Sequence, residues 1–335
     1  MFSTPVFLFP QGKAENNAAA SGGLLKFPEE VSGQAETSRQ CAEEDGSAAA
    51  EGPPASESGG ALPEDQAGDA RARQVMTALA EAYPARIGRA ELRDGDWAVP
   101  VMGEWFYYAQ GRLLPGELKG KALEYDPQPF YSYEAELSPW KDPDTSESER
   151  LQNFSQRREE NPPKRSHHFY DALWQAQNRE EAYERVKSMR LFNRSVLVHY
   201  AVMEELAMVE ARILRDAQTD PQIKNWINSI EVVSGWNWRS IADTQSRSFH
   251  AYGTAVDIMP VSSGKLETYW LWTSMNNSQW WMVPYAKRLH PPDKVIKAFE
   301  AYGFTWGGKW LLYDTMHFEY RPEIMLLNGL PINYY

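Results

Sequence analysis

The residues best placed to do chemistry fall in three segments of the last third of the chain. They are Ser248-Phe249-His250-Ala251-Tyr252-Gly253-Thr254-Ala255-Val256-Asp257, Phe304-Thr305-Trp306-Gly307-Gly308-Lys309-Trp310 and Asp314-Thr315-Met316-His317-Phe318-Glu319. A catalytic zinc site takes three protein ligands, drawn from neutral imidazoles and a carboxylate, and keeps one position open. His250, Asp257 and His317 could supply that set. Asp257 is the only charge in Ala255-Val256-Asp257-Ile258-Met259, and a carboxylate in an apolar strand is costly unless it is paired or metal-bound. Gly253 permits the bend that returns His250 towards Asp257. His317 and Glu319 share one face of a short predicted strand, and Asp314 can reach the same site from the preceding turn. Taken singly, each has a plainer use: a core histidine, a salt-bridged aspartate. The spacing by itself leaves both uses open.

The elements that must position these residues follow from local pattern. Thr254 to Met259 and His317 to Tyr320 read as strands, as does Ile230 to Val233. Asp293 is placed to cap a helix that runs to Tyr302 and stops at Gly303. Upstream, 3.6-residue spacing predicts helices over His168–Gln177, Arg179–Met189 and Ser195–Gln218, the last with Asn193 as a cap. Gln74 to Tyr83 reads as a helix, and Trp97 to Ala109 as strands around a break at Gly103, after a turn at Asp94-Gly95-Asp96. Residues 116 to 165 are rich in proline and charge; their aromatics (Tyr125, Phe130, Tyr131, Tyr133, Trp140) are expected against the body. The fold class is α+β: a small antiparallel sheet carries the site with helices packed on it, preceded by a small β-rich module.

The three segments resemble the zinc D-alanyl-D-alanine carboxypeptidase and L-alanyl-D-glutamate endopeptidase family, which includes vancomycin-resistance D,D-peptidases and phage endolysins. Ser248, His250, Gly253, Ala255 and Asp257 match its Ser-x-His-x-x-Gly-x-Ala-x-Asp signature without a gap. Asp314 and His317 match its carboxylate three residues before a final histidine. Phe304 to Trp310 is similar to the Phe-x-Trp-Gly-Gly-x-Trp stretch of the endolysin-like branch. The resemblance covers about residues 230 to 322. It implies Zn2+ held by His250, Asp257 and His317. It implies Asp314 as the general base and Arg239 as the group that stabilises the developing oxyanion. It implies Ser248 in contact with substrate and Glu319 orienting His317 from behind. The substrate class it implies is the peptidoglycan stem peptide. An aspartate base follows the endolysin-like pattern, which favours the L-alanyl-D-glutamate bond, with D-alanyl-D-alanine carboxypeptidase as the alternative.

Composition bounds the rest. No apolar run reaches the roughly 18 residues of a membrane helix, and a formal charge of -12 argues against a non-specific nucleic-acid binder. The single Cys41 excludes a disulfide scaffold and any multi-cysteine zinc site. Much of the negative charge lies in residues 15–72, which hold 12 acidic and 3 basic residues. That segment is read as a disordered acidic tether. Before it, the apolar Phe2 to Phe9 and the small-x-small Gly12-Lys13-Ala14 resemble a signal-peptide remnant over 1–14. The expected location is then periplasmic, cell-envelope or secreted. Four units are expected: 1–14, 15–72, a β-rich module with its connector at 73–165, and the zinc peptidase domain at 166–335; composition leaves the oligomeric state open. Nine of the 13 tryptophans lie between Trp226 and Trp310, where core and cleft-wall packing is their ordinary use. His167, His168, His199 and His290 are expected to be structural or surface residues, and Pro162-Pro163-Lys164-Arg165 a solvated basic turn. Two rivals come from other classes. One is a non-catalytic zinc-containing wall-binding module, as Hedgehog-type signalling domains show for this scaffold; it predicts loss of Asp314 or Arg239, and both are present. The other places function in residues 73–228, as a polymer- or partner-recognising part.

Overall fold

The computed structural model describes residues 64–242 and 244–333. The leader at 1–14 and the tether up to residue 63 lie outside the described residues. The tether reading does not extend to 72, because α1 (Glu64–Ala82) already begins at Glu64. Ala72, Val75, Met76 and Leu79 are buried on one side of that helix, so the chain there has an apolar face to pack. An antiparallel meander follows: β1 (Glu91–Arg93), β2 (Asp96–Val101), β3 (Glu104–Tyr107) and β4 (Leu114–Pro115). Gly103, at φ 95°, makes the β2–β3 turn at the expected break.

The connector holds a helix that composition concealed, α2 (Thr145–Glu160), capped by Asp144, whose side chain accepts from the Glu147 N–H at 2.9 Å. Tyr131 and Tyr133 do lie against the body, packed with Ile324 and Met325. Beyond α3 (His168–Trp174), the structure corrects two predicted helices. α4 (Arg179–Arg185) ends early, and β5 (Val186–Leu191) pairs antiparallel with β6 (Arg194–His199). Asn193 caps nothing. Phe192 and Asn193 have φ of 49° and 62°, the left-handed pair that closes a two-residue hairpin. Val196 and Val198 point inward while Leu197 stays exposed, a period of two that won over the helical spacing running through Val196 and Tyr200. The helical part is α5 (Met203–Asp216), followed by α6 (Pro221–Ser229).

The last third builds a four-stranded antiparallel sheet from β7 (Ile230–Ser234), β8 (Ala255–Pro260), β9 (Phe304–Trp306) and β10 (His317–Tyr320), in the order β7-β8-β10-β9. Between β7 and β9 lie α7 (Phe249–Tyr252), α8 (Trp270–Ser274) and α9 (Asp293–Glu300); α10 (Pro322–Leu327) follows β10. Asp293 is the first residue of α9 rather than its cap, which is Pro292; its carboxylate still sits where the helix dipole favours it. α9 ends at Glu300, two residues before the expected Tyr302, and Gly303, at φ 83°, turns the chain towards β9. Phe299 of α9 stacks on Phe318 of β10 at 4.0 Å, fixing helix to sheet. One hydrophobic cluster joins Val75 and Leu79 of α1, Val99 of β2, Leu206 of α5, Phe299 and Phe318. Residues on both sides of position 165 therefore share a core.

Candidate metal centre

The β8–β10 register sets Asp257 directly opposite His317. His250 arrives from α7, a single turn opened by Ser248, whose hydroxyl accepts from the His250 N–H at 3.3 Å. Gly253 closes that turn at φ 73°, and a Cβ there would lie 2.7 Å from the His199 nitrogen. The bend therefore needs glycine both for its conformation and for the hairpin packed behind it.

Three ligand atoms converge. His250 Nε2 lies 3.1 Å from Asp257 Oδ1 and 3.2 Å from His317 Nδ1, and His317 Nδ1 lies 2.9 Å from Asp257 Oδ1. Bonds of about 2.0–2.1 Å to a tetrahedral zinc set neighbouring ligands about 3.3 Å apart, close to this triangle. The far side of each ring is occupied. His250 Nδ1 donates to the Gly235 carbonyl at 2.6 Å, and His317 Nε2 donates to Glu319 Oε2 at 3.2 Å. These acceptors assign each ring's proton and leave the other nitrogen facing the centre. His250 and His317 are buried, so the pair of facing imidazoles gains little from water. The residues present fit a zinc ion.

Burial opposes charge on Asp257, yet hydrogen bonds and charges from His250 and His317 hold its carboxyl well below the usual range. Burial also opposes charge on His317, but its bonds to Asp257 and Glu319 outweigh it and raise the imidazole above its ordinary value. Asp314 stands beside the triangle, not in it. Burial first, then the Asp257 charge, push its carboxyl up to about 7, while His317 and Arg239 act the other way. Its Oδ1 accepts from the Met316 N–H at 3.3 Å.

Asp314, His317, Glu319, Ser248 and Arg239 all line one cleft of about 160 Å³, walled by Tyr131, Tyr269, Trp270 and Trp310. Arg239 is exposed on its rim. Ser248 thus caps the histidine turn and also faces the cleft. The Pro162–Arg165 turn is not wholly solvated: Arg165 lines the same cleft, and burial pulls its guanidinium down to about 10. Several of the tryptophans pack as expected, with Trp270, Trp280 and Trp281 in a cluster beside the cleft and Trp306 buried in the main core, while Trp272 stays exposed. His199 is buried and structural.

Sequence reasoning missed the Gly235 carbonyl, which no residue type announces. It also missed Arg321 and Glu323, which hold Glu319 from behind. Their signal was available: Glu319, Arg321 and Glu323 alternate through an otherwise apolar stretch.

Residues 241–320 match the family model described as D-alanyl-D-alanine carboxypeptidase, a span that contains both segments of the candidate metal centre and begins two residues after Arg239. Residues 75–130 match a domain of unknown function. No curated protein and no solved structure matches the chain.

Proposed function

We propose that this protein is a zinc peptidase that hydrolyses peptide bonds in peptidoglycan stem peptides, at the L-alanyl-D-glutamate bond. The observation that carries the reading is the triangle of His250, Asp257 and His317, with each imidazole fixed by an acceptor on its far side. The family-model match over 241–320 supports the reaction class. No helix among the described residues is long and apolar enough to cross a membrane. A location at the cell envelope is part of this proposal, because the polymer that carries such stem peptides lies there.

His250 Nε2, Asp257 and His317 Nδ1 would hold the metal. When bound, zinc lowers the pKa of a water towards about 7 and polarises the scissile carbonyl. Asp314 takes the proton from the attacking water and delivers it to the leaving amine. A carboxyl whose affinity for protons is raised by burial suits both steps. Arg239, on the rim, meets the carbonyl oxygen as negative charge develops on it. Ser248 contacts the peptide backbone at the cleft wall. Glu319 keeps His317 in the tautomer that leaves Nδ1 for the metal.

The description of the matching family favours a second reading, removal of a terminal D-alanine. Digestion of purified muropeptides with mass analysis separates the two. Release at L-Ala–D-Glu supports the first, loss of one D-Ala supports the second, and bound zinc without any product favours the binding module.

A further inference from the structure

The charged chain behind His317 does not end at Glu319. Glu319 Oε1 accepts from Arg321 Nη1 at 3.3 Å, and Arg321 Nε donates to Glu323 Oε1. Glu323 Oε2 accepts from the Tyr83 hydroxyl at 2.6 Å, and its Oε1 from the Tyr170 hydroxyl at 3.4 Å. Arg321 Nη2 reaches the Pro129 carbonyl at 3.3 Å, and the Phe249 ring covers its guanidinium at 4.7 Å. Glu319, Arg321 and Glu323 are 7%, 1% and 0% exposed. Two carboxylates and one guanidinium without water are tolerable only when each lone pair and donor has a partner. For Glu323 those partners are one cation and two tyrosines. Tyr83 directly follows α1, within the 75–130 span that matches a domain of unknown function.

We propose that this upstream segment is part of the metal site's support: Tyr83 and Glu323 act through Arg321 and Glu319 as positioning residues for the ligand His317. The inference rests on the zinc reading. Arg321 is shared between two carboxylates, so its position depends on both. If the charge at 323 is removed, the guanidinium keeps Glu319 as its one carboxylate partner and draws that carboxylate off the His317 ring. If the Tyr83 hydroxyl is removed, a buried oxygen of Glu323 loses its donor, and Arg321 must turn to supply one. Either change loosens the Glu319–His317 bond. Direct loss of such an outer partner lowers metal affinity about 10- to 100-fold, and a residue one step further out acts through the same bond.

The test is the zinc dissociation constant of the full-length protein, by chelator competition well below its thermal midpoint. Tyr83→Phe and Glu323→Gln are each expected to weaken zinc binding by at least about threefold, within the range set by direct partners. In a Glu319→Gln background, Tyr83→Phe should have no further effect, because the path it uses is gone. Tyr133→Phe is the control: its hydroxyl is equally buried, bonds Glu300 at 2.6 Å and accepts from the Trp306 N–H at 2.8 Å, and touches none of Glu319, Arg321 and Glu323, so zinc affinity should hold. A purely structural role lowers the thermal midpoint and leaves zinc affinity unchanged; that result overturns the proposal. Equal losses in Tyr83→Phe and Tyr133→Phe, or a Tyr83→Phe effect that persists with Gln at 319, overturn it too. If Glu323→Gln does not fold, Tyr83→Phe decides alone. A wild-type protein that binds no zinc refutes the metal reading itself.

Discussion

Replacing Asp314 by asparagine separates the metal from the chemistry. Asparagine keeps the size and an oxygen that can accept from the Met316 N–H, now 3.3 Å from Asp314 Oδ1. Asp314 contributes no atom to the His250–Asp257–His317 triangle, so zinc content should stay at wild-type level. Turnover on a stem peptide should fall by roughly 100- to 10,000-fold, the ordinary worth of a general base. The structure adds a second, opposite effect on stability. Burial and the Asp257 charge move the Asp314 carboxyl from 3.8 to about 7 in the metal-free protein. At about 1.4 kcal/mol for each tenfold change, holding it ionised there costs at most about 4 kcal/mol, and the open side of the cleft screens part of that. The folded pKa is raised, so the wild type loses this stability as pH rises from about 4 through about 7, and the asparagine variant does not. Metal-free Asp314→Asn should therefore be more stable than metal-free wild type by about 2–4 kcal/mol at pH 8 and equal to it near pH 4. The assay is zinc content, urea unfolding at both pH values, and turnover of the zinc form. The wild-type rate should also fall on the acid side, at or below pH 7, because a bound cation favours the ionised carboxylate. Full turnover in the variant would falsify the assignment of Asp314 as the base, and loss of zinc would make it a ligand.

Three further outcomes follow from the same geometry. His250→Ala or His317→Ala should strip stoichiometric zinc, measured by metal analysis of the purified variants, because two ligands cannot hold what three converge on. Arg239→Ala should lower kcat by roughly 100- to 1,000-fold with zinc unchanged if this side chain meets the oxyanion; an effect on KM alone would make it a binding residue. Burial pulls His199 from 6.5 to about 4, with its Nε2 donating to the Trp174 carbonyl at 3.1 Å. Its folded pKa is lowered, so about 3 kcal/mol of stability, present above pH 6.5, should be lost as pH falls to 4. Urea unfolding across that range should show the slope in wild type and not in His199→Asn.

How much of this was legible without coordinates differs by residue. Ser248 to Asp257 and Asp314 to Glu319 could be picked out in one dimension, because a site built from two strands, each with the short turn that leads into it, keeps its chemistry in short contiguous runs. The sheet around them was legible for a similar reason: Ala255-Val256 and His317-Phe318 lie in strands whose type is set by local apolar pattern. The hairpin of β5 and β6 was not. Val196, Tyr200 and Met203 satisfy a helical spacing, and the decision for strand came from the left-handed pair Phe192-Asn193 and from inward packing of Val196 and Val198. Such a choice depends on what lies across the chain, and local propensity is too weak to make it.

The sequence by itself determined which atoms can bind a metal, because that depends on residue type and on spacing within a few positions. Only the tertiary structure decided that Asp257 faces His317 across one register, that the Gly235 carbonyl assigns the proton on His250, and that Tyr83 meets Glu323 across 240 positions. The reason is physical. A backbone carbonyl carries no residue-type signal, and a buried ion has no preferred partner along the chain. Both acquire their roles only when folding removes water and leaves each polar group to find a partner within about 3 Å.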